Sequence, residues 1–472
     1  MNRITGFALL IAQCCLYCGV LCWASPLPAA SESALREAFT RQTGEIRLPP
    51  GTTILTTPLE VNADARDLVI SGTATTLLRA SPKFTGRALI HIHGGSRISL
   101  RDFTLDGNRA ALAKPIGMPP SNEPFHRFYM NNGIVAEGVT QLVVESVVMH
   151  DIANFPILVS HSENVRVRHI RLTDCGSLNG KRRNNTTGGI LLEEGTKNFE
   201  VTNCKLLRVR GNGIWTHSLY TSPRNEDGRI AENEIQYSAR DAIQVGHATR
   251  VRVLSNTGRF IGYPAAEVDI ENEGWPVAID TAGNVGQSSY ALNVFEELNG
   301  KCIDLDGFHH GEIRRNRCVN SKPAAAYAYG HYGIVMNNSN PDMQSQNITI
   351  IDNELEGMKF GGIFVIGTGH RIEKNRMRHL NSAGCPETQG KVACIYDIEQ
   401  PDLLQSGIYL GIFVDPKRRA PATGNTIIDN LIMGHGMKTR CLVFAPGLTP
   451  EGNEIARNIC LEPPLIPAKK QR

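Results

Sequence analysis

The feature that most constrains the fold is a short pattern, aliphatic-x-x-Asn, which recurs through the second half of the chain. Where copies are adjacent they lie 22 to 28 residues apart, and the longer gaps fit added loops or a degenerate copy. Asparagine tolerates left-handed backbone and hydrogen-bonds its own turn, so it suits a tight corner between two short strands. A fixed period of this length predicts a repeat architecture. The copies end at Asn233, Asn256, Asn316, Asn353, Asn375, Asn430 and Asn458.

A second pattern, Gly/Ala-Ile-x-x, recurs in phase with the first. Each copy is a short apolar or alternating segment opened by a turn residue, which is typical of a short strand. One turn of chain therefore holds two or three short strands, and successive turns stack them in parallel around a continuous aliphatic column. The 45 glycines and the low aromatic content of 6% agree with this all-β solenoid. The copies are NNGIVAEG, GGILLEEG, GNGIWTHS, RDAIQVGH, GKCIDLDG, HYGIVMNN, GGIFVIGT and SGIYLGIF.

Three segments near the start of the chain resemble the opening turns of known β-helices: IRLPPGT (46–52), PLEV (58–61) and FTLDGN (103–108). Together with the recurrent asparagine they resemble the right-handed parallel β-helix proteins of the pectate-lyase superfamily, which includes polygalacturonases. The resemblance covers residues 45–463. It implies a single-stranded right-handed parallel β-helix, and a substrate groove that runs along one strand face across several stacked coils.

The domain organisation predicted from the sequence has four parts. Residues 1–24 combine Arg3, a long apolar run and the small-residue pattern Cys22-Trp23-Ala24, which predicts a cleaved signal peptide and a secreted or periplasmic protein. An uncleaved membrane anchor is the alternative. Residues 25–45 form a cap region with a helix over 31–42, residues 46–463 form the β-helix, and 464–472 form a polar tail.

Cysteine content and net charge narrow the function classes. Four of the 12 cysteines lie in the signal segment, and the other eight favour disulfides in an exported chain. Nearest-neighbour pairing is the simplest of the 105 connectivities: 175–204, 302–318, 385–394 and 441–460. No cysteine spacing is typical of zinc. The net charge of +3 without a long basic run gives no indication of a nucleic-acid partner, and no membrane association is expected after signal removal.

The stretch AEVDIENEGWP (266–276) places carboxylates at alternate positions. Alternate side chains of a strand share a face, so aligning the Ile of the repeats predicts two outward residues per coil. Asp269 is then beside Asp304, and Glu271 beside Asp306. This register gives coils of 25 and 35 residues and leaves 274–289 as a loop. In the alternative register VAID (277–280) is the strand, which puts Asp280 next to Asp306. The predicted outward pairs are Trp215/His217, Gln244/Gly246, Asp269/Glu271, Asp304/Asp306, Val335/Asn337 and Phe364/Ile366.

Such a square of four carboxylates predicts glycoside hydrolysis. One carboxyl group protonates the leaving oxygen and the other activates water, and an inverting mechanism needs a separation of ~6.5–9.5 Å. Asp304 or Asp306 is the expected acid, and Asp269 or Glu271 the expected base. The polygalacturonase signatures GHG and RIK are absent, and the chain has Gly330-His331-Tyr332-Gly333 instead.

Two other interpretations remain open. Asp269, Glu271, Asp304 and Asp306 offer the oxygen ligands that calcium prefers, as in a lyase or C5-epimerase acting on a uronic-acid polymer. The base would then come from His331, Tyr332, Lys301 or Arg314, although the epimerase DPHD motif is missing. Alternatively the acids form a solvated face on a non-catalytic glycan-binding protein. Hydrolysis needs no cofactor, whereas the lyase interpretation implies calcium.

The expected partner is a polysaccharide or oligosaccharide. An acidic groove repels a polyuronate unless calcium screens it, so without metal a neutral or partly charged glycan fits better. Trp215 and Trp275 suit the apolar faces of sugar rings, and polar residues near the strands suit hydroxyl groups. The candidate substrate-binding residues are Trp215, His217, Gln244, His247, Trp275, His309, His310, His331, Tyr332 and Asn337.

Overall fold

The computed structural model describes residues 31–272, 274–385 and 399–463. The predicted signal peptide, the predicted tail at 464–472 and Cys394 lie outside these residues. No helix in the described part of the chain is long and apolar enough to cross a membrane.

The chain winds into a right-handed parallel β-helix whose strands form three stacks. Stack A contains Leu59–Val61, Ala88–Ile92, Asn132–Glu137, Ile157–Ser160, Ile190–Glu193, Ile214–His217, Ile243–Gly246, Val277–Gly286, Lys301–His309, Ile334–Asn337, Ile363–Val365, Ile408–Leu410 and Leu442–Phe444. Stack B contains Gly44–Arg47, Arg66–Ser71, Ser96–Arg101, Thr140–Glu145, Glu163–Arg168, Lys197–Thr202, Asn225–Ala231, Arg252–Leu254, Ser289–Ala291, Gly311–Arg314, Ile348–Ile351, Arg371–Glu373, Thr426–Ile428 and Glu454–Ala456. Stack C contains Gly51–Leu55, Thr76–Ala80, Thr104–Asp106, Val148–His150, Arg171–Cys175, Lys205–Val209, Glu234–Ser238, Thr257–Arg259, Val294–Glu296, Arg317–Val319, Glu354–Glu356, Arg376–Leu380, Leu431–Gly434 and Ile459–Leu461.

All pairings between these strands are parallel, and each strand pairs with its counterpart one coil away. The short strand Ala248–Thr249 pairs with strands of both stack A and stack B, so these two stacks count as one 28-stranded sheet. Stack C is a separate 14-stranded sheet. Right-handed winding by short strands leaves one face of every strand inside, where the aliphatic residues form the core.

The core of stack A follows the isoleucine pattern expected from the sequence. Ile243, Ile279, Ile303, Ile334 and Ile363 lie in register in successive coils. Each is at most 1% exposed. The side chain after each of these isoleucines points to the opposite face. That face is the outer wall on which the candidate site lies.

The recurrent asparagines form a buried ladder at the corner between stacks B and C. Except at the last member, Asn458, each side-chain Nδ2 donates to the Oδ1 of the next asparagine at 2.8–3.0 Å and to a backbone carbonyl. The sequence pattern missed one member, Asn293, because Tyr290 occupies its aliphatic position. The ladder comprises Asn233, Asn256, Asn293, Asn316, Asn353, Asn375, Asn430 and Asn458.

The N-terminal helix Glu32–Ala38 caps the first coil, as predicted. Ser31 caps the helix by accepting a hydrogen bond from the Ala34 N–H. Leu35 and Phe39 are buried against the end of the aliphatic column. The other short helices are Arg109–Leu112 and Phe125–Phe128, with 3-10 turns at Ala265–Glu267, Ala324–Ala326 and Leu403–Gln405.

Two of the predicted disulfides are present, Cys302–Cys318 and Cys441–Cys460. Cys302 lies in a stack A strand, and Cys441 lies just before one. Each is bonded to a cysteine in the stack C strand of the same coil. The predicted 175–204 pairing is wrong, because both cysteines are buried free thiols. Cys175 is in register with Val209 of the next coil. Cys204 lies at the preceding corner, where its Sγ donates to the Thr202 carbonyl, so it is not opposite Cys175.

Candidate functional site

The stack A strand that precedes Lys301–His309 is Val277–Gly286, and not the acidic stretch predicted to fill that place. Asp280 lies in register with Asp304, and Ala282 with Asp306. The preferred register was therefore wrong, and so was the assignment of 274–289 to a loop. The alternative strand was right, but its register was two residues off. Asp280 follows Ile279 as Asp304 follows Ile303, and the buried isoleucines fix that alignment.

The structure does not bring Asp269 and Glu271 to Asp304 and Asp306. Asp269 is buried in a loop, where its carboxylate accepts hydrogen bonds from Asn179 at 2.6 Å and Asn272 at 2.8 Å. Glu271 is exposed and lies 2.6 Å from the Lys181 Nζ. These contacts hold the loop that contains Asp269 and Glu271 against the loop at residues 179–184. The alternating acids therefore stabilise the packing of these two loops.

Asp304 and Asp306 are instead joined by Asp241 and Asp280. We call these four residues the aspartate cluster. Asp280 and Asp304 are cross-strand neighbours, about 4.8 Å apart between strands. Asp306 is two residues beyond Asp304 on the same face, so it lies diagonally across from Asp280 at about 8 Å. Asp241 precedes the strand of the coil before, and it is 1% exposed. Exposure of Asp280 and Asp304 is 9% and 6%.

Each carboxylate of the cluster has a different partner. Asp280 accepts a hydrogen bond from the Gln244 Nε2 at 2.5 Å. Asp304 accepts one from the Lys301 Nζ. Asp306 accepts two from Ser339, one from the backbone N–H at 2.8 Å and one from the hydroxyl at 2.5 Å.

Asp241 is held from two sides. Its Oδ1 accepts the Val277 N–H at 3.0 Å, and its Oδ2 lies 3.7 Å from the Arg240 Nη1. Among the described residues, the Oδ2 of Asp241 and the Oδ1 of Asp304 have no hydrogen-bond partner although both are buried. Acceptors left in this state are costly unless a ligand or water supplies a donor.

Burial and mutual repulsion push the carboxyl groups toward their protonated forms. Burial, followed by the negative charges of Asp241 and Asp304, raises the pKa of Asp280 well above its usual range. Burial raises the pKa of Asp241 to about 6 against the opposing effect of Arg240. Burial, followed by the charge of Asp304, raises the pKa of Asp306 to about 6. The cluster therefore holds exchangeable protons near neutral pH.

Two aromatic side chains lie at the edge of the cluster. Trp275 is 39% exposed, and its ring centroid is 5.5 Å from that of the buried His331. Burial, followed by the charges of Lys301 and Lys359, lowers the pKa of His331 well below its usual range. Tyr220 is 56% exposed, and burial of its hydroxyl, followed by the charges of Asp342 and Asp306, raises its pKa to about 12.

Several predicted substrate-binding residues are located at or near the cluster. Gln244 bonds Asp280, and its Oε1 accepts from Asn212 at 2.7 Å. Asn337 is in register with Asp306. His309 and His310 lie at the end of the Lys301–His309 strand, with the His309 Nε2 2.8 Å from the Asn284 Oδ1.

Other predicted residues are covered. The Phe125 ring centroid lies 4.9 Å from that of Trp215 and 4.8 Å from that of His217. Trp215 is only 4% exposed, so its ring is not open to a sugar, whereas His217 is partly exposed. Burial lowers the pKa of His217 to about 3 and that of His247 to about 4. Tyr332 is fully buried, and its hydroxyl donates to the Ser406 carbonyl at 2.8 Å.

The cover over Trp215 belongs to the segment that contains the helix Phe125–Phe128. Glu193, which is fully buried, accepts from the Phe125 N–H at 3.0 Å, from the His126 N–H at 2.8 Å and from the His126 Nδ1 at 2.6 Å. No local sequence pattern indicated this cover, because its contacts join residues far apart in the chain.

Sequence reasoning missed Asp241, Arg240, Ser339 and Tyr220. The repeat alignment could have located Asp241. This residue lies two positions before Ile243, just as Lys301 lies two positions before Ile303, so both side chains occur at the same place in their coils. Ser339 and Tyr220 lie in loops whose conformation no strand pattern determines.

A separate cavity of about 410 Å³ opens beside stack C, away from the aspartate cluster. Its wall includes Arg208, Arg210, Tyr237 and Tyr263. Arg208 pairs with Asp174 at 2.6 Å, and Arg210 lies 3.9 Å from Glu267. These arginines are thus paired within the protein, whereas the aspartate cluster keeps two buried carboxylate oxygens without a hydrogen-bond donor among the described residues.

Comparisons with known proteins agree with this architecture. Residues 88–259 match the family described as a right handed beta helix region. No curated protein matches the chain by sequence. The periplasmic alginate epimerase AlgG superposes with a TM-score of 0.51 at 14% identity, covering 91% of this chain and 89% of that chain. The catalytic unit of a GH87 alpha-1,3-glucanase from Streptomyces thermodiastaticus strain HF3-3 gives 0.52 at 12% identity, covering 92% and 69%. At these identities the likeness shows the fold alone, and the chain has a right-handed parallel β-helix fold.

Proposed function

We propose that the protein is a glycoside hydrolase that cleaves a polysaccharide at the aspartate cluster. The observation that carries the proposal is the diagonal pair Asp280 and Asp306, about 8 Å apart on adjacent strands with unequal surroundings. This separation falls within the ~6.5–9.5 Å that an inverting mechanism uses to admit a water molecule.

Asp280 is the proposed general acid. It is buried between Gln244 and Asp304, and its raised pKa favours the protonated carboxyl group. A proton held on a buried carboxyl is available to a leaving oxygen that enters the groove. Gln244 donates to the other oxygen and so fixes the orientation of the acid.

Asp306 is the proposed base. With a pKa of about 6 it is ionised at pH 7, and its two hydrogen bonds from Ser339 hold the carboxylate in place. An oriented carboxylate of this basicity can accept a proton from water in the transition state. Ser339 is a positioning residue in this scheme.

Asp304 lies between the acid and the base. It accepts a hydrogen bond from the Lys301 ammonium, while its buried Oδ1 has no donor among the described residues. A fixed negative charge at this position stabilises the positive charge that develops on the sugar ring. We therefore propose that Asp304 contributes electrostatic stabilisation.

A neutral or partly charged glycan fits this site. Three or four carboxyl groups disfavour a polyuronate, while the exposed Trp275 offers an apolar face for a sugar ring. The similar fold of the alpha-1,3-glucanase, which acts on a glucan, supports the proposal of a neutral glycan as substrate.

The test is a depolymerisation screen over neutral and acidic polysaccharides, read for reducing ends and for unsaturated products. We expect new reducing ends without unsaturation, and no dependence on calcium. Asp280→Asn and Asp306→Asn should each lower the rate by at least about 100-fold, since general acid-base catalysis contributes 10²–10⁴-fold.

Asp352→Asn is the matched control. Asp352 is an exposed acid at a stack B corner, with a left-handed backbone that asparagine also adopts. This variant should retain full activity. Activity that survives in both Asp280→Asn and Asp306→Asn would contradict the assignment.

A uronate lyase or C5-epimerase is the second candidate, and the cations beside the cluster favour it. Lys301 and Arg240 contact Asp304 and Asp241 and are positioned to meet a substrate carboxylate, with calcium as the proposed partner of the acids. Here the screen would yield unsaturated ends or epimerised uronate, and EDTA would abolish the activity. Reducing ends alone, unchanged by EDTA, would eliminate this candidate.

A further inference from the structure

A cluster of two histidines and a glutamate lies near the N-terminal end of stack A, away from the aspartate cluster. His91 lies in the strand Ala88–Ile92 and His93 directly follows that strand, while Glu60 is in register with His91 one coil earlier. We call these three residues the HHE triad. Each offers one ligand atom, and the three atoms lie within 4.8 Å of one another.

The triad converges on one oxygen atom. The Oε2 of Glu60 is 2.6 Å from the Nε2 of His93 and 3.5 Å from the Nδ1 of His91. The two imidazole rings lie close together, with centroids 3.8 Å apart and planes tilted by 50°. Small side-chain rotations therefore suffice to bring the two nitrogens and the oxygen around one ion.

A fourth residue holds His91 in the orientation that metal binding requires. The Nε2 of His91 lies 3.0 Å from the Oε1 of Glu137, which belongs to the next coil. A hydrogen bond from Nε2–H to this carboxylate leaves Nδ1, which faces Glu60, as the ring nitrogen with the lone pair. Metal-bound histidines almost always donate their other N–H to such a partner.

The donor set selects the class of metal. Two imidazole nitrogens and one carboxylate oxygen suit zinc and its transition-metal neighbours, whereas calcium and magnesium prefer all-oxygen sites. His91 is nearly buried, but the side chains of Glu60 and His93 are 45% and 44% exposed. One side of the triad thus remains open to water or an external ligand, as in three-ligand zinc sites.

From this geometry we propose that the HHE triad binds a divalent transition metal, with zinc as the preferred ion and Glu137 as the residue that positions His91. The site lies about 30 Å along the helix axis from Asp280, six coils away. The inference does not depend on the proposed hydrolase activity.

The test is metal binding by the purified full chain after treatment with EDTA and desalting. Titration with Zn²⁺ by calorimetry should show one tight site per chain, and Co²⁺ should give visible absorption bands of a nitrogen-containing site. His93→Ala should abolish this site. Glu137→Gln should weaken it by about 10- to 100-fold, the usual effect of removing such a partner.

His150→Ala is the matched control, because His150 belongs to a second described His/carboxylate group with Asp106 and Asp151. It should leave the tight site unchanged. His93 is half exposed, so its variant should fold, and the circular dichroism melting curve checks this. A tight Zn²⁺ site that persists in His93→Ala, that disappears in His150→Ala, or that is absent from the wild-type chain would overturn the proposal.

Discussion

Burial, followed by the charge of Asp304 on the same face of the strand, raises the pKa of Asp306. Both side chains face outward two residues apart, and burial amplifies the repulsion between them. The basicity that the proposed mechanism needs at Asp306 is therefore a property of the group of acids, and no single residue of the cluster specifies it.

This coupling gives a prediction for Asp306. Its pKa of about 6 lies above the ordinary aspartate value, and the charge of Asp304 is one cause. Asp304→Asn removes that charge and should lower the pKa of Asp306. Carbon-13 NMR titration of the Asp306 carboxyl measures this directly, without reliance on activity.

The raised pKa of Asp306 also determines how this residue makes the free energy of unfolding depend on pH. Because the folded protein binds the Asp306 proton more tightly than the unfolded chain, this group favours folding below pH 4, and its contribution is lost as the pH rises through about 6. Asp306→Asn should therefore show a weaker decline of unfolding free energy between pH 4 and 7. An unchanged titration and an unchanged pH dependence would contradict the coupling.

At the scale of elements, the asparagine ladder fixes each coil on the next. Asn316 donates to the Tyr290 carbonyl at 2.8 Å and to Asn353 at 3.0 Å, and it accepts from both nitrogens of Asn293. The backbone corners thus satisfy their buried polar groups through side chains of neighbouring coils.

We expect Asn316→Ala to lower the free energy of unfolding by about 3 kcal/mol, because it leaves several buried groups without partners at 1–3 kcal/mol each. Asn458→Ala is the matched comparison at the last rung, which is only partly buried and has fewer partners. Its effect should be clearly smaller. Equal losses in urea unfolding for the two variants would show that the ladder is not cooperative across its length.

Local pattern predicted the elements well and their exact partners less well. The isoleucine and asparagine repeats predicted the stacked coils because both residue types are needed at every turn. The acids at 266–273 have the alternation of a strand in the sequence, yet the chain forms a 3-10 turn at Ala265–Glu267 and a loop up to residue 272. Ile279 fills the core position of this coil instead. Tertiary burial thus overrode a local period, and contacts such as Glu193 with His126 had no local signal at all.

At the scale of the whole molecule, the two described disulfides cross the interior of the later coils. Cys302 lies in the strand that bears Asp304 and Asp306, and Cys318 lies in stack C of the same coil. The bond therefore ties the wall that carries the site to the wall behind it.

Removal of this disulfide should destabilise the protein. For a loop of 16 residues the expected loss is about 3 kcal/mol, measured as the difference between Cys302→Ala/Cys318→Ala and wild type under oxidising conditions. Cys175→Ala/Cys204→Ala is the control, because these thiols are free. The Cys175→Ala/Cys204→Ala variant should show the same difference in unfolding free energy between oxidised and reduced protein as wild type. A Cys302/Cys318 variant that remains as sensitive to reductant as wild type would contradict this view.

The stacking of coils also gives the outer wall a regular spacing along the groove. Each coil advances the outer wall by ~4.8 Å, a distance comparable to the span of one sugar ring, and it presents a fresh pair of outward side chains. A polymer aligned with the helix axis would thus meet the protein one monomer per coil. In such an arrangement, a gain or loss of specificity at one monomer requires changes in one coil only, and the coils on either side keep their chemistry.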